Sequence, residues 1–325
     1  MTKNNKEDKN NEVLLDNLPR SETNPNAKWY GKPGVSPINY VQAKKNSLEY
    51  NIFKGPPQEI PLELFSEYTM NGKIPIRWWY CNEEVSHPED TKWSDFFVDL
   101  QSDDPFKIDN EKLIIFKKDD VNELVEQVKD KSIKYYGDIA ECLHSAFKDF
   151  PIKGQNIAIM GSTHPTCEAY AIHHEAIPNT IEYTSIQCYD KRINTFTVDE
   201  YYKTPDKERV RFDAALSISS FEHDGLGKYG DPLDPNGDIK AMQRMKHTIK
   251  KGGILYLAVP CGKDRIDWNA HRVYGKLRLP ILLSGWELLG HYGYSNELTE
   301  ITPFHELEER RAYGYRHALF ILKNT

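Results

Sequence analysis

Residues 156–183, NIAIMGSTHPTCEAYAIHHEAIPNTIEY, decide how the rest of the chain is read. Asn156 to Met160 is short and apolar, the pattern of a parallel strand covered on both faces. A tight bend at Gly161-Ser162 follows, then a helical stretch, then a second strand from Thr180 to Tyr183. Ser162 or Thr163 is expected at the helix N-cap, with Pro165 in the first turn, where its missing N–H costs nothing. Glu182 lies 21 residues (182 − 161) beyond Gly161. An acidic residue about 20 residues past a strand–bend–helix is where nucleotide-binding α/β folds hold a ribose. The stretch therefore predicts a nucleoside-bearing cofactor seated over the Gly161 bend.

The chain has 325 residues, enough to bury a sizeable core and carry an elaboration beside it. Its formal net charge of −7 argues against a nonspecific nucleic-acid binder. No apolar run approaches the ~18 residues of a membrane span, and the polar N-terminus lacks an apolar signal core. The cysteines (Cys81, Cys142, Cys167, Cys188 and Cys261) are dispersed, odd in number and without a CxxC pair. They read as reduced thiols of a cytoplasmic protein, not as a disulfide or zinc framework.

Residues 1–27 are rich in Asn, Lys, Glu and Asp and nearly free of aromatics, so they are expected to be a disordered tail. Residues 28–130 interleave aromatics with Pro and Gly and are expected to form an accessory or cap region. Within it, TMNGKIPIRWWY carries an Asn71-Gly72 hairpin signal, and EKLIIFKK is a short strand candidate. The Trp78-Trp79-Tyr80 run is a candidate pocket cover. Helical spacing marks VNELVEQVKDK and DIAECLHSAFKDF. Beyond the central stretch, INTFTV (193–198) reads as a strand ending at Asp199, and RFDAALSISS as a buried strand with a polar tip. The Gly/Asp-rich loop FEHDGLGKYGDPLDPNGD comes next, then a helix from Ile239 to Lys250 closed by Lys251-Gly252-Gly253. ILYLAVP is a buried strand, CGKDRIDWNAHRVYG a polar loop, KLRLPILLSG a helix, and WELLGHYG and HALFILKN two last strands. Alternating strands and helices require crossovers, which predicts a Rossmann-like, doubly wound, mostly parallel sheet ending in an antiparallel strand. Residues 131–325 hold that domain.

This order resembles the class I S-adenosylmethionine-dependent methyltransferases, with IAIMGS, IEY, the Asp199 corner, FDAALSISSFEH and KKGGILYLAVP at the cofactor motifs and following strands. The long blocks GSTHPTCEAYA, SSFEHDGLGKYGDPLDPNGD, LAVPCGKDRIDWNAHRVYG and RLPILLSGWE carry a closer resemblance, to the family catalogued as "Caenorhabditis protein of unknown function". It extends over roughly residues 130–325. The resemblance implies S-adenosylmethionine over Gly161, Ser162, Glu182, Tyr183 and Asp199, with Ser219 and Ser220 along the pocket floor. It departs from the methyltransferase pattern at the bend, where Ser162, Thr163, His164 and Pro165 stand in place of further glycines.

Candidate chemistry clusters beyond the strand ends, where open α/β sheets bind ligands. His223, flanked by Glu222 and Asp224 with Asp231 nearby, suits a general base for a substrate hydroxyl or amine. His271 competes for that role. Trp268, Asn269 and Arg272, with Asp264, suit recognition of a polar or sugar-like acceptor. DPNGD reads as a helix cap rather than a calcium loop, and His173-His174, pointing ~100° apart, as packing residues, so no resident metal is expected. Three readings stay open: a methyltransferase acting on a small polar or carbohydrate acceptor, a scaffold that has lost the cofactor, and a metal-dependent hydrolase using His223, Asp224 and Asp231.

Overall fold

The computed structural model describes residues 59–79, 97–98, 113–183, 185–229, 231–293 and 315–325. The expected disordered tail and Tyr80 lie outside the described residues, as do the side chains of Trp78 and Trp79. In chain order come α1 (Leu62–Tyr68), β1 (Ile76–Trp79), β2 (Phe97–Val98), β3 (Leu113–Phe116), α2 (Lys118–Lys129) and α3 (Ile139–Asp149). The central stretch gives β4 (Asn156–Met160), α4 (Thr166–His173) and β5 (Ile177–Glu182). Next are β6 (Ile186–Cys188), β7 (Asn194–Thr197), α5 (Val198–Lys203), β8 (Phe212–Ile218) and α6 (Gly237–Thr248). The last elements are β9 (Ile249–Gly262), β10 (Arg265–Asn269), β11 (His271–Val273), α7 (Leu279–Leu282), β12 (Glu287–Tyr292) and β13 (Tyr315–Lys323).

Seven strands form the main sheet in the order β12-β13-β9-β8-β4-β5-β7. The five from β9 to β7 are mutually parallel, and β13 runs antiparallel between β9 and β12. This is the expected mixed α/β, mostly parallel doubly wound sheet. The β4 sequence shows why both faces are covered. Ile157 and Ile159 join a core with Leu143 and Phe147 of α3 and Tyr170 of α4. Ala158 and Met160 point the other way, onto Tyr201 of α5 and Met242 and Met245 of α6. Alternate side chains of one strand thus anchor helices on opposite faces.

Several local expectations change. Pro165 is itself the N-cap of α4, and no side chain caps that helix. The strand expected to run to Val198 stops at Thr197, because Thr197 and Glu200 close a capping box that starts α5. Asp199 therefore lies in a helical turn. The helix α6 ends at Thr248 and passes directly into β9, with Gly252 at φ +83° inside the strand. The expected polar loop 261–275 instead forms β10 and β11, whose residues are almost all buried. The Asn71-Gly72 hairpin does not close either, since β1 pairs in parallel with β10. In the same way β3 pairs in parallel with β6, so strands of the accessory region are woven into the main chain's edges.

Candidate functional site

Strand β4 leads through α4 to β5 on one side, while its neighbour β8 leads through α6 to β9 on the other. A crevice opens where connections diverge in this way. Gly161, just past β4, adopts φ +67°, and a Cβ there would stand 2.1 Å from Ser220 Oγ, so the position demands glycine. Here a crevice opens to solvent, lined by Gly161, Tyr183, Tyr202, Ser220, Asp224 and Arg244, with Met160, Ile181, Val198, Phe221 and Met245 among its apolar walls. Burial, helped by Asp231, pushes the Asp224 carboxyl up to about 8, while Arg244 at 3.5 Å opposes the shift.

The sequence candidates around this crevice divide. Gly161, Tyr183 and Ser220 line the cavity. Glu182 is buried between the lining residues Ile181 and Tyr183, and its Oε1 accepts the Tyr183 amide at 2.7 Å. Ser162 is buried behind the bend, its hydroxyl within 3.0 Å of both His164 O and Glu168 Oε2. Asp199 is exposed on α5 and pairs with Lys203 at 2.5 Å. The side chains that stand in place of glycines at the bend do not line the crevice: the His164 imidazole meets Thr166 Oγ1 at 2.7 Å.

A second cluster lies past the ends of β8 and β13. Ser219 adopts φ +52°, an uncommon conformation for a residue with a side chain. Its hydroxyl donates to Glu222 Oε1 at 2.6 Å and meets His317 Nε2 at 3.1 Å. That hydroxyl has one hydrogen, so His317 Nε2–H is the donor to it. Glu222 is fully buried, and burial lifts its carboxyl to about 7. His223 Nδ1 lies 2.5 Å from the carbonyl of Ala270, which can only accept, so Nδ1 carries the hydrogen and Nε2 keeps its lone pair. Burial holds this imidazole well below its usual pKa, so it is neutral. Its Nε2 stands 3.8 Å from Glu222 Oε1. His271 sits 6.2 Å from His223 between ring centroids, with Nε2 on Asp267 Oδ2 at 3.1 Å, and burial lowers its pKa against that carboxylate. Burial pushes His317 down to about 3. Neutral imidazoles with assigned hydrogens can take or relay a proton without a charge waiting in a dry site.

Other candidates hold the loop that presents this cluster. Asp231 accepts the amides of Gly225 (2.6 Å), Gly227 (3.1 Å) and Tyr229 (3.2 Å). Arg272, expected to touch substrate, is fully buried and donates to the carbonyls of Glu222, Asp224, Asp234 and Pro235. Asp238, in the stretch read as a helix cap, is buried against Arg278 (2.5 Å) and Tyr274 (2.9 Å). Trp268 is fully buried with Tyr68 edge-on at 5.3 Å, and Asn269 beside it is equally buried. Among the described residues, no three His, Cys, Asp or Glu side chains could hold a metal ion, and no helix is long and apolar enough to cross a membrane.

Sequence reasoning missed Glu168, Arg244, Tyr136 and His317. Glu168 had a signal, as an acid on an otherwise apolar helix; it is fully buried, accepts Thr180 Oγ1 at 2.6 Å, and burial raises it to about 7. Tyr136, whose ring lies 5.0 Å from His317, and His317 itself gave none, since only the fold brings them to Ser219.

No curated protein matches the chain. Two solved structures similar to it are methyltransferases. Burkholderia thailandensis 1,6-didemethyltoxoflavin-N1-methyltransferase, solved with 1,6-didemethyltoxoflavin and S-adenosylhomocysteine, is 12% identical at a TM-score of 0.41, over 63% of this chain and 87% of that one. A TehB-like SAM-dependent methyltransferase from Corynebacterium glutamicum is 11% identical at 0.38, over 64% and 97%. The pattern of one family matches residues 154–325, more than half of the sequence, and includes both the Gly161 bend and the Ser219–His223 cluster. The chain belongs to that family, described as Caenorhabditis protein of unknown function, DUF268.

Proposed function

We propose that this protein is an S-adenosylmethionine-dependent methyltransferase acting on a small polar acceptor of carbohydrate type. The observation that carries the reading is the crevice at the divergence of β4 and β8, floored by Gly161 and Ser220 and walled by Tyr183 and Tyr202. Its chemistry fits an adenosine: flat aromatic and apolar walls for a base, and Asp224 as an acceptor for an exocyclic amino group. Glu182, at the tip of β5, is the candidate for the ribose hydroxyls. When bound, S-adenosylmethionine supplies an electrophilic methyl group.

The chain's own part is positioning and proton removal. His223 Nε2, with its lone pair free of the Ala270 hydrogen bond, takes the proton that the acceptor hydroxyl loses. His271 is less suited, because its Nε2 already faces Asp267. Holding the acceptor oxygen in line is the larger part of the rate.

A second reading, a scaffold without cofactor, draws on Glu182 Oε1, which is already satisfied by the Tyr183 amide. Thermal shift with S-adenosylhomocysteine, NAD and divalent cations separates the two. Saturating S-adenosylhomocysteine at 100 times its Kd stabilises by about 2.7 kcal/mol, and NAD and metals do nothing. No response to any of them supports the scaffold. Glu182→Ala abolishes the nucleoside shift; an unchanged shift means the ribose is held elsewhere.

A further inference from the structure

Among the described residues, Glu222 is a buried carboxyl with an oxygen that nothing satisfies. It is fully buried, Oε1 is held by the Ser219 hydroxyl at 2.6 Å, and Oε2 meets no hydrogen-bond partner among the described residues. A buried carboxyl oxygen without a partner is costly, and the fold keeps it so by fixing Ser219 from behind with His317 at 3.1 Å. The lone pair of His223 Nε2 belongs to a ring atom 3.8 Å from Oε1 of the same carboxyl. Two unfilled positions therefore adjoin, one an acceptor and the other the oxygen of a carboxyl.

The neighbours say what kind of group fills them. Tyr136 and Tyr229 are 45% and 43% exposed, and each edges onto the cluster. Tyr136 lies 5.0 Å from His317 and Tyr229 lies 5.3 Å from His223, ring to ring. Partly exposed aromatic rings beside buried polar groups suit the C–H faces of a sugar or other polyol. The Lys228 cation, 4.9 Å above the Tyr229 ring, opposes an ammonium ligand. A hydroxyl can serve Oε2 in either protonation state, donating to a carboxylate or accepting from a carboxylic acid.

We propose that Glu222 is a second acceptor-binding residue beside His223, and that the pair takes two vicinal hydroxyls of a polyol. The nucleophilic hydroxyl faces His223 Nε2 and its neighbour faces Glu222 Oε2. This rests on the methyltransferase reading for the fate of the first hydroxyl, while the diol itself is tested by binding.

The experiment uses the full chain with S-adenosylhomocysteine present. Methyl glucoside, galactoside and mannoside, their single-position deoxy analogues and methyl glucosaminide are titrated by calorimetry against wild type and Glu222→Ala. Wild type is expected to bind at least one pyranoside ten times or more tighter than the analogue lacking one vicinal hydroxyl, and Glu222→Ala to lose that discrimination. Glu222→Gln, which keeps the shape, is expected to raise Tm at pH 8 while retaining the S-adenosylhomocysteine shift. A lowered Tm at pH 8 in Glu222→Gln makes Glu222 a structural partner and overturns the proposal. So does equal binding of diol and deoxy compounds, no pyranoside binding at all, or preference for the amino sugar. Absence of the S-adenosylhomocysteine shift in wild type overturns the cofactor reading instead, and leaves the diol and Tm measurements to decide on Glu222.

Discussion

The two halves of the site are built on different physics. The Gly161 crevice is made of backbone bends and apolar or aromatic walls contributed by β4, β5, α5 and α6. The Ser219–His223 cluster is made of titratable groups drawn from residues as far apart as Tyr136 and His317, with the imidazoles of His223 and His317 held neutral by burial. A crevice binds by shape, so it tolerates polar substitution at its rim. The cluster works through where each hydrogen sits, so a single atom change there should silence it without disturbing the crevice.

The largest expected effect tests that separation. His223→Gln keeps the bulk and a donor toward Ala270 but removes the lone pair at Nε2. Methyl transfer is expected to fall by roughly 10²–10⁴-fold, with S-adenosylhomocysteine affinity changed less than twofold. Product release measured by chromatography, with calorimetry for the nucleoside, checks both. A parallel loss of nucleoside binding would mean that the two halves are one site.

The next effect falls on the loop joining them. Arg272 is fully buried and spends its donors on four loop carbonyls. Arg272→Met leaves those groups and part of Asp238 without their partner, and removal of one member of such a network costs about 3–5 kcal/mol. Urea unfolding is expected to show the loss. A variant of near wild-type stability would return Arg272 to the role of a substrate contact.

How much of this was legible follows from the same contrast. The crevice could be read because its signals are local: an apolar strand, a glycine bend, and an acid at the tip of the next strand lie within one stretch. The sheet order followed from alternation alone. The cluster was half legible. Glu222 and His223 stand together at a strand end, but Tyr136 and His317 reach them only through tertiary folding. The stretch 261–275 misled because its charges suggested solvent. Those charges are instead neutralised inside, Asp267 by Arg265 and Arg77, and Arg272 by carbonyls and Asp238. Charge patterning reports exposure only when the partners are not charged and buried as well.

Glu168 sharpens the comparison on the crevice side, where it ties the Ser162 bend to Thr180. Its folded pKa, about 7, lies above the ordinary 4.5 because burial penalises its charge. Below 4.5 the acid is protonated folded and unfolded, and it costs nothing. Between 4.5 and 7 the unfolded chain releases its proton first, so stability falls as pH rises, and above 7 the loss is complete. At 1.36 kcal/mol per pKa unit the loss is about 3 kcal/mol. Glu168→Gln is expected to match wild type at pH 4.5, exceed it at pH 8, and remove this share of the slope, as read from Tm across that range. Glu222 contributes a slope of the same sign from the other half of the site. Retention of the full slope in Glu168→Gln would place the titration in the cluster alone.

The smallest effect belongs to Asp199, which sits on the rim of the comparison. It stands in the first turn of α5, between the cavity residues Val198 and Tyr202 in sequence, yet its carboxylate points to solvent and pairs with Lys203. An exposed i,i+4 pair is worth about 0.3–0.5 kcal/mol, and an acid near a helix N-terminus adds a similar amount. Asp199→Asn should therefore lower stability by less than about 1 kcal/mol and leave nucleoside affinity unchanged. If affinity instead fell tenfold, α5 would have to turn when the crevice fills, bringing the Asp199 carboxylate onto the nucleoside. The crevice would then depend on the placement of one charged atom as strictly as the cluster does.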